Sequence, residues 1–253
     1  MDAINRVVAL GASNLTRGFQ TIVSTARSAW GPKVQVLAAL GHGRSYGAAS
    51  RVVFRKLPGI LESGLWKALE HLPPAPSRAL ITDVGNDLLY GYSVEQIIEW
   101  VDETVHRLLQ ITEDMVLTDL PLESIQRLSP EKFLLFRSLL FPASRLSLAE
   151  MLERIYRLNE SLAELASMRN VKYFKLKPSW YAFDPIHIRP SLWKSAWQEI
   201  LNAPIGADTA HGSMIEGLKL YLMAPERRHL FGIEQFTPQQ GVMLPKGAQI
   251  WLY

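Results

Sequence analysis

Four consecutive apolar residues, Val7-Val8-Ala9-Leu10, run straight into Gly11-Ala12-Ser13-Asn14, and this junction constrains the chain more than any other stretch. A short apolar run with two β-branched members reads as a buried strand. Gly11 ends it at a point where the backbone can turn sharply without a Cβ penalty. From 16 to 30, Phe19, Ile22, Val23, Ala26 and Trp30 recur at helical spacing, and Gly31-Pro32 stops the helix. Ser13 therefore stands where a strand gives way to a helix. That is the carboxyl edge of the sheet, where open α/β folds keep their sites, and the amide dipoles of the following helix point at it.

The same alternation repeats along the chain. Lys33–Leu40 (KVQVLAAL) predicts a second strand, followed by Gly41-His42-Gly43-Arg44-Ser45-Tyr46-Gly47. A helix is predicted from Leu57 to Leu72, broken by Pro73-Pro74-Ala75-Pro76. Arg78–Val84 reads as a third strand leading into Gly85-Asn86-Asp87-Leu88-Leu89-Tyr90-Gly91, and Ser93 with Gln96 forms a capping box for a helix over 94–111. Met115–Leu120 and Val171–Leu176 predict the fourth and fifth strands. Between them, 121–170 reads as a helical insertion. Ser129-Pro130 opens the apolar run Phe133–Phe141, and Ser147 with Glu150 caps a helix to Met168. After the loop Trp180–His187 comes a last helix, Ser191–Leu201. Five strands alternating with helices predict a five-stranded parallel sheet covered on both faces and joined by right-handed crossovers. The chain divides into a domain over 1–201 and a small β-rich C-terminal extension over 202–253, with short runs such as Gln249–Tyr253.

With 253 residues, 48% hydrophobic and 20% charged, the chain can bury a sizeable core. No apolar stretch approaches the length of a membrane span, so no stable membrane insertion is expected. The first strand follows Met1–Arg6 directly, so no signal peptide is expected. The absence of cysteine excludes disulfides and thiolate metal sites and fits a cytoplasmic location. A net charge of +3 from scattered basic residues does not imply nucleic acid as a partner.

Each polar cluster falls just behind a predicted strand: Ser13, Gly41-His42-Gly43, Asn86, and Asp184 with His187. In a parallel sheet those ends share one edge. Ester hydrolysis needs a nucleophile, a base with an orienting acid, and donors for an oxyanion, and these loops supply them. Ser13 is the candidate nucleophile and His187 the base, since an ordinary imidazole takes up and returns protons near neutrality. Asp184, three residues earlier, is placed to fix the tautomer of His187. The N–H groups of Ser13 and Gly43 and the Asn86 amide are the candidate oxyanion donors.

These blocks resemble the SGNH hydrolases, the GDSL-type esterases and lipases, over residues 6–190. Gly11-Ala12-Ser13-Asn14 stands where the family has Gly-Asp-Ser-Leu; Gly43, or Gly41 in another register, stands for the second block. Val84-Gly85-Asn86-Asp87 resembles Gly-x-Asn-Asp, and Asp184-Pro185-Ile186-His187 matches Asp-x-x-His. The resemblance implies a flavodoxin-like three-layer α/β/α sandwich and a serine esterase without metal or cofactor, acting on a small ester of short to medium acyl chain through an acyl-enzyme on Ser13. Two departures, Ala12 for aspartate and Val84 for glycine, remove no catalytic atom.

Competing readings use the same residues. Gly43-Arg44-Ser45-Tyr46-Gly47 fits a Gly-x-Ser-x-Gly elbow with Ser45 as nucleophile, although only two strands precede it. The triad would equally serve an acyltransferase, and the fold alone a binding module. His42, Arg44 and Tyr90 are candidates for the substrate pocket; His42 has no second histidine or glutamate at ligand spacing, so no metal site is expected. Asp83, Asp87 and Asp119 read as structural. The apolar helix over 130–141 is expected to be a lid or, like the C-terminal extension, a homo-oligomer surface.

Overall fold

A computed structural model describes residues 4–140, 144–203 and 213–253. The end of the expected 130–141 helix and part of the 202–253 extension lie outside the described residues. In chain order the elements are β1 (Arg6–Leu10), α1 (Ser13–Trp30), β2 (Gln35–Ala39), β3 (Ser50–Val52), β4 (Arg55–Leu57), α2 (Leu65–His71), β5 (Ser77–Ile81), α3 (Asn86–Leu89), α4 (Val94–Leu109) and β6 (Met115–Thr118). There follow α5 (Leu122–Gln126), α6 (Pro130–Leu140), α7 (Leu148–Met168), β7 (Lys172–Phe174), α8 (Trp193–Ile200), α9 (Met214–Leu222), β8 (Arg227–Leu230), β9 (Ile233–Phe236), β10 (Val242–Met243) and β11 (Gln249–Leu252).

The main sheet has the order β10-β11-β2-β1-β5-β6-β7, parallel throughout except for β10. Its five central and right-hand members are the five expected strands, in the doubly wound order of flavodoxin-like sheets. Alternate residues of each strand enter opposite layers. Val8, Leu10, Leu37 and Ile81 pack with Ile97, Val101, Leu158 and Leu162 of α4 and α7. Val7, Ala9, Val36 and Leu80 pack with Phe19, Ile22, Trp197 and Ile200 of α1 and α8. The three-layer α/β/α class is the one expected.

Three details differ from expectation. The sheet has seven strands, not five: β11 inserts parallel to β2, with Ile250 opposite Val36, and β10 pairs antiparallel with β11. The predicted helix over 57–72 shortens to α2, because Leu57 ends a strand and Pro58-Gly59 and Ser63-Gly64 interrupt the pattern. A second, antiparallel sheet of order β3-β4-β8-β9 joins residues 50–57 to the C-terminal region.

Candidate active site

The carboxyl ends of β1, β2, β5 and β7 open onto one rim, and the loops behind them bring the sequence blocks together. At Gly11 a Cβ would lie 2.8 Å from the Thr82 side chain, so the turn between β1 and α1 has no room for one. Ser13 is the first residue of α1, whose cap residue Ala12 has no side chain to offer the helix end. The carboxylate arrives from Asp83 instead. Its Oδ2 accepts the N–H groups of Ala12 (3.0 Å), Asn14 (2.9 Å) and Leu15 (3.1 Å), satisfying donors that a helix N-terminus leaves open. The N–H of Ser13 lies in the same turn and has no acceptor among the described residues.

His187 is 8% exposed. Its Nε2 lies 2.9 Å from Ser13 Oγ and its Nδ1 2.6 Å from Asp184 Oδ2. Asp184 Oδ1 also accepts the N–H groups of Ile186 and His187, each at 3.2 Å. Burial works against ionisation of Asp184, but the hydrogen bond and charge of His187, the Ile186 amide and the nearby Arg17 together hold its carboxyl below the ordinary range. Arg17 sits one turn beyond Ser13 on α1, 3.5 Å from Asp184 Oδ2.

Asn14 ties these loops together. Its Nδ2 donates to Asp83 Oδ1 and to the Ile186 carbonyl, both at 2.8 Å, while its Oδ1 accepts the Ile188 N–H at 2.9 Å. The residues on either side of His187 are thus bonded to the side chain next to Ser13. Sequence reasoning missed this residue. The signal was present, because Asn14 occupies the position of leucine in the resembled block.

Gly43 has φ +66°, and a Cβ there would meet Val52 at 2.5 Å and the Tyr90 hydroxyl at 3.0 Å. Tyr90 donates to the Gly43 carbonyl at 2.6 Å, fastening this loop to the one behind β5. Asn86 opens α3, with Nδ2 at 3.5 Å from the Asp83 carbonyl. His42 is half-buried. Burial, and after it the charges of Arg55, Arg17 and His187 acting against Asp83, press its pKa down to about 4, so it is neutral near pH 7.

Ser45 and Arg44 are both fully buried. Ser45 Oγ accepts the Ala48 N–H at 3.0 Å, and the histidine at hydrogen-bond distance stands at Ser13 instead. Arg44 donates to the carbonyls of Leu40, Pro58 and Tyr253, anchoring the end of β11. Asp87 and Asp83 serve loop amides, as expected; Asp87 accepts the Tyr46 N–H at 3.0 Å, and burial raises its pKa to about 6.

A cavity of about 110 Å³ opens from Ser13 and Asn86. Its walls include Leu89, Leu120, Ile125, Leu128, Phe133, Met151, Ile155 and Ile186, with Asp83, Asp119 and Arg137 as charged members. Helices α5 and α6 roof it. On α6, Phe133 is buried while Leu134 and Leu135 are 46% and 64% exposed. His42, Arg44 and Tyr90 do not border this cavity; His42 and Tyr90 belong to the Gly43 side of the rim and Arg44 to the core. Among the described residues no cluster of three metal-ligating side chains occurs.

No family model and no curated protein matches the sequence. Among solved structures, the chain is similar to Est24, a carbohydrate acetylesterase from Sinorhizobium meliloti, at 15% identity and a TM-score of 0.53, over 78% of this chain and 97% of that one. It is similar to the native aryl esterase of M. smegmatis at 14% identity and a TM-score of 0.52, over 78% and 97%. The class defined by this sheet and rim is an α/β sandwich with its polar loops at the carboxyl edge. More particularly, the chain shares the fold of these two esterases, in keeping with the flavodoxin-like sandwich that its resemblance to the SGNH, or GDSL-type, hydrolases implied.

Proposed function

We propose that the chain is a serine carboxylic-ester hydrolase working through an acyl-enzyme on Ser13. The observation that carries this reading is the continuous relay from Ser13 Oγ to His187 Nε2 (2.9 Å) and from His187 Nδ1 to Asp184 (2.6 Å) at the mouth of an apolar cavity. The fold shared with a carbohydrate acetylesterase and an aryl esterase supports it.

In the first half-reaction Ser13 Oγ bonds to the ester carbonyl carbon as its proton passes to His187 Nε2. The carbonyl oxygen becomes an oxyanion, for which the Ser13 and Gly43 N–H groups and the Asn86 amide are the proposed donors. Collapse expels the alcohol, which takes the proton from His187. Water then attacks the acyl carbon, gives its proton to the same nitrogen, and Ser13 leaves protonated with release of the acid. Asp184 stays ionised and stabilises the imidazolium. This reaction needs no metal or cofactor.

The apolar walls formed by Leu89, Leu128 and Phe133 suit an acyl group of short to medium chain, with α6 as the lid over it. Fluorophosphonate labelling followed by peptide mapping tests the assignment. The expected adduct is on Ser13, and His187→Ala lowers ester turnover by at least about 1,000-fold while the protein stays folded. An adduct on Ser45, or near wild-type turnover in the histidine variant, overturns the reading.

A further inference from the structure

The second sheet ends in a knob that the ester chemistry does not use. The β3–β4 turn and the β8–β9 turn lie side by side: the Phe231 N–H donates to the Phe54 carbonyl at 3.0 Å, and the two rings stack with centroids 5.0 Å apart. Val53, Phe54, Phe231 and Ile233 are 73%, 59%, 69% and 68% exposed. Val53 and Phe231 have φ of +54° and +51°. Tight turns ordinarily give such positions to glycine or asparagine, and a β-branched or bulky residue there is strained. The chain thus holds apolar side chains at the tip against the preference of the backbone.

Behind the tip the strand register sets a charged face. Arg51, Lys56, His229 and Glu234 are successive cross-strand partners, so they share one face, and Arg227 lies on it two residues from His229. Three permanent cations there meet a single carboxylate, Glu234, which lies 3.4 Å from Arg227. The opposite face leans on the Gly41–Gly47 loop, where Val52 crowds Gly43 and Arg55 donates to the His42 carbonyl at 3.3 Å.

An apolar tip collared by cations matches an anionic lipid surface, which offers hydrocarbon beneath a layer of negative charge. A second copy would bring the same cationic face against itself, and nucleic acid would leave the tip nothing apolar to enter. We propose that this knob docks on an anionic membrane surface, with Val53, Phe54, Phe231 and Ile233 entering the boundary between headgroups and acyl chains. Docking of this kind is peripheral. Among the described residues no helix is long and apolar enough to cross a membrane. The proposal does not depend on the ester chemistry, because its readout is binding.

Co-sedimentation with vesicles of phosphatidylcholine, alone or mixed with one third phosphatidylglycerol, tests it. The wild type is expected to bind the anionic vesicles about tenfold more tightly than the neutral ones, and to lose most of that difference at high salt. Two double variants, Phe54→Ser with Phe231→Ser and Lys56→Gln with Arg227→Gln, are each expected to bind at least about tenfold more weakly, with turnover of a soluble ester unchanged. Equal binding of wild type and both variants overturns the proposal, as does equal binding to the two vesicle types. A dimer that either variant dissociates, without vesicle binding, overturns it in favour of a second copy. Capture of an oligonucleotide by wild type and phenylalanine variant alike, again without vesicle binding, overturns it in favour of nucleic acid.

Discussion

Two walls meet at Ser13, and they are held by different forces. On one side Asn14, Asp83, Asp184 and His187 form a lattice of directional bonds between 2.6 and 3.2 Å that links three loops. On the other, α5, α6 and the link between them cover the cavity through Ile125, Phe133 and Leu128, whose contacts are apolar and carry no fixed direction. The difference teaches a division of labour. Proton transfer tolerates little displacement of the reacting atoms, whereas an acyl pocket can change shape at the cost of a few contacts.

The largest effect expected from breaking the first wall without touching a reacting atom is at Asn14. Asn14→Leu removes the bonds to Asp83 Oδ1, the Ile186 carbonyl and the Ile188 N–H, while the backbone N–H bond to Asp83 Oδ2 remains possible. The loop carrying His187 is then free to shift by a fraction of an ångström or more. We expect kcat for a simple acetyl ester to fall about 100-fold with KM nearly unchanged, and stability to drop by about 2 kcal/mol. Steady-state kinetics and urea unfolding check both. Wild-type kcat in this variant would remove the directional wall from the account.

A second prediction contrasts the acids of the two sides. Asp119, in the cavity floor, accepts the Leu176 N–H at 2.7 Å, yet burial outweighs that bond and raises its pKa to about 6. From the ordinary carboxylate range up to about 6 the folded chain therefore holds a proton that the unfolded chain has released, and stability falls as pH rises through that window. Asp184 is shifted the other way, so its contribution is present above the ordinary carboxylate pKa and is lost as pH drops through its lower folded value. Asp119→Asn is expected to stabilise the protein at neutral pH by about 1 kcal/mol and to leave it unchanged in acid. Unfolding midpoints across the pH range measure this. An equal effect at every pH would mean that Asp119 is not the titrating group.

How much of this was readable from the residues depends on how far apart the partners lie. The five expected strands were legible because runs such as Val7–Leu10 are apolar whichever neighbour they pair with. The partner of β11 was not. Gln249–Leu252 reads as a strand, but nothing local says that it slides in beside Gln35–Ala39. The strands of the second sheet escaped notice because Arg51, Arg55, Lys56, Arg227 and Arg228 interrupt any alternation of apolar and polar positions. Ser13, Asp184 and His187 could be named because they stand behind two strands of one parallel sheet, Ser13 behind β1 and the other two in the loop after β7. Asn14 was marked only by its departure from the resembled block, because an asparagine at a helix start usually bonds locally, and here its partners on the His187 loop are 172 and 174 residues away.

The smallest expected effect belongs to the apolar wall and would sharpen the contrast most. Phe133 is buried on the inner side of α6, with Leu134 and Leu135 facing outward, and its ring is the apolar group of that helix in the cavity wall, with Arg137 one turn further on. Phe133→Leu removes aromatic volume but keeps the site apolar, at a stability cost of about 1 kcal/mol. Acetyl-ester turnover should stay within about twofold, because an acetyl group extends only one methyl beyond the reacting carbon, while the preference for octanoyl over butanoyl esters should rise about fivefold. Measured kcat/KM across a chain-length series decides the matter. A uniform fall for all chain lengths would mean that α6 holds the reacting groups in register, and the two walls would then be one.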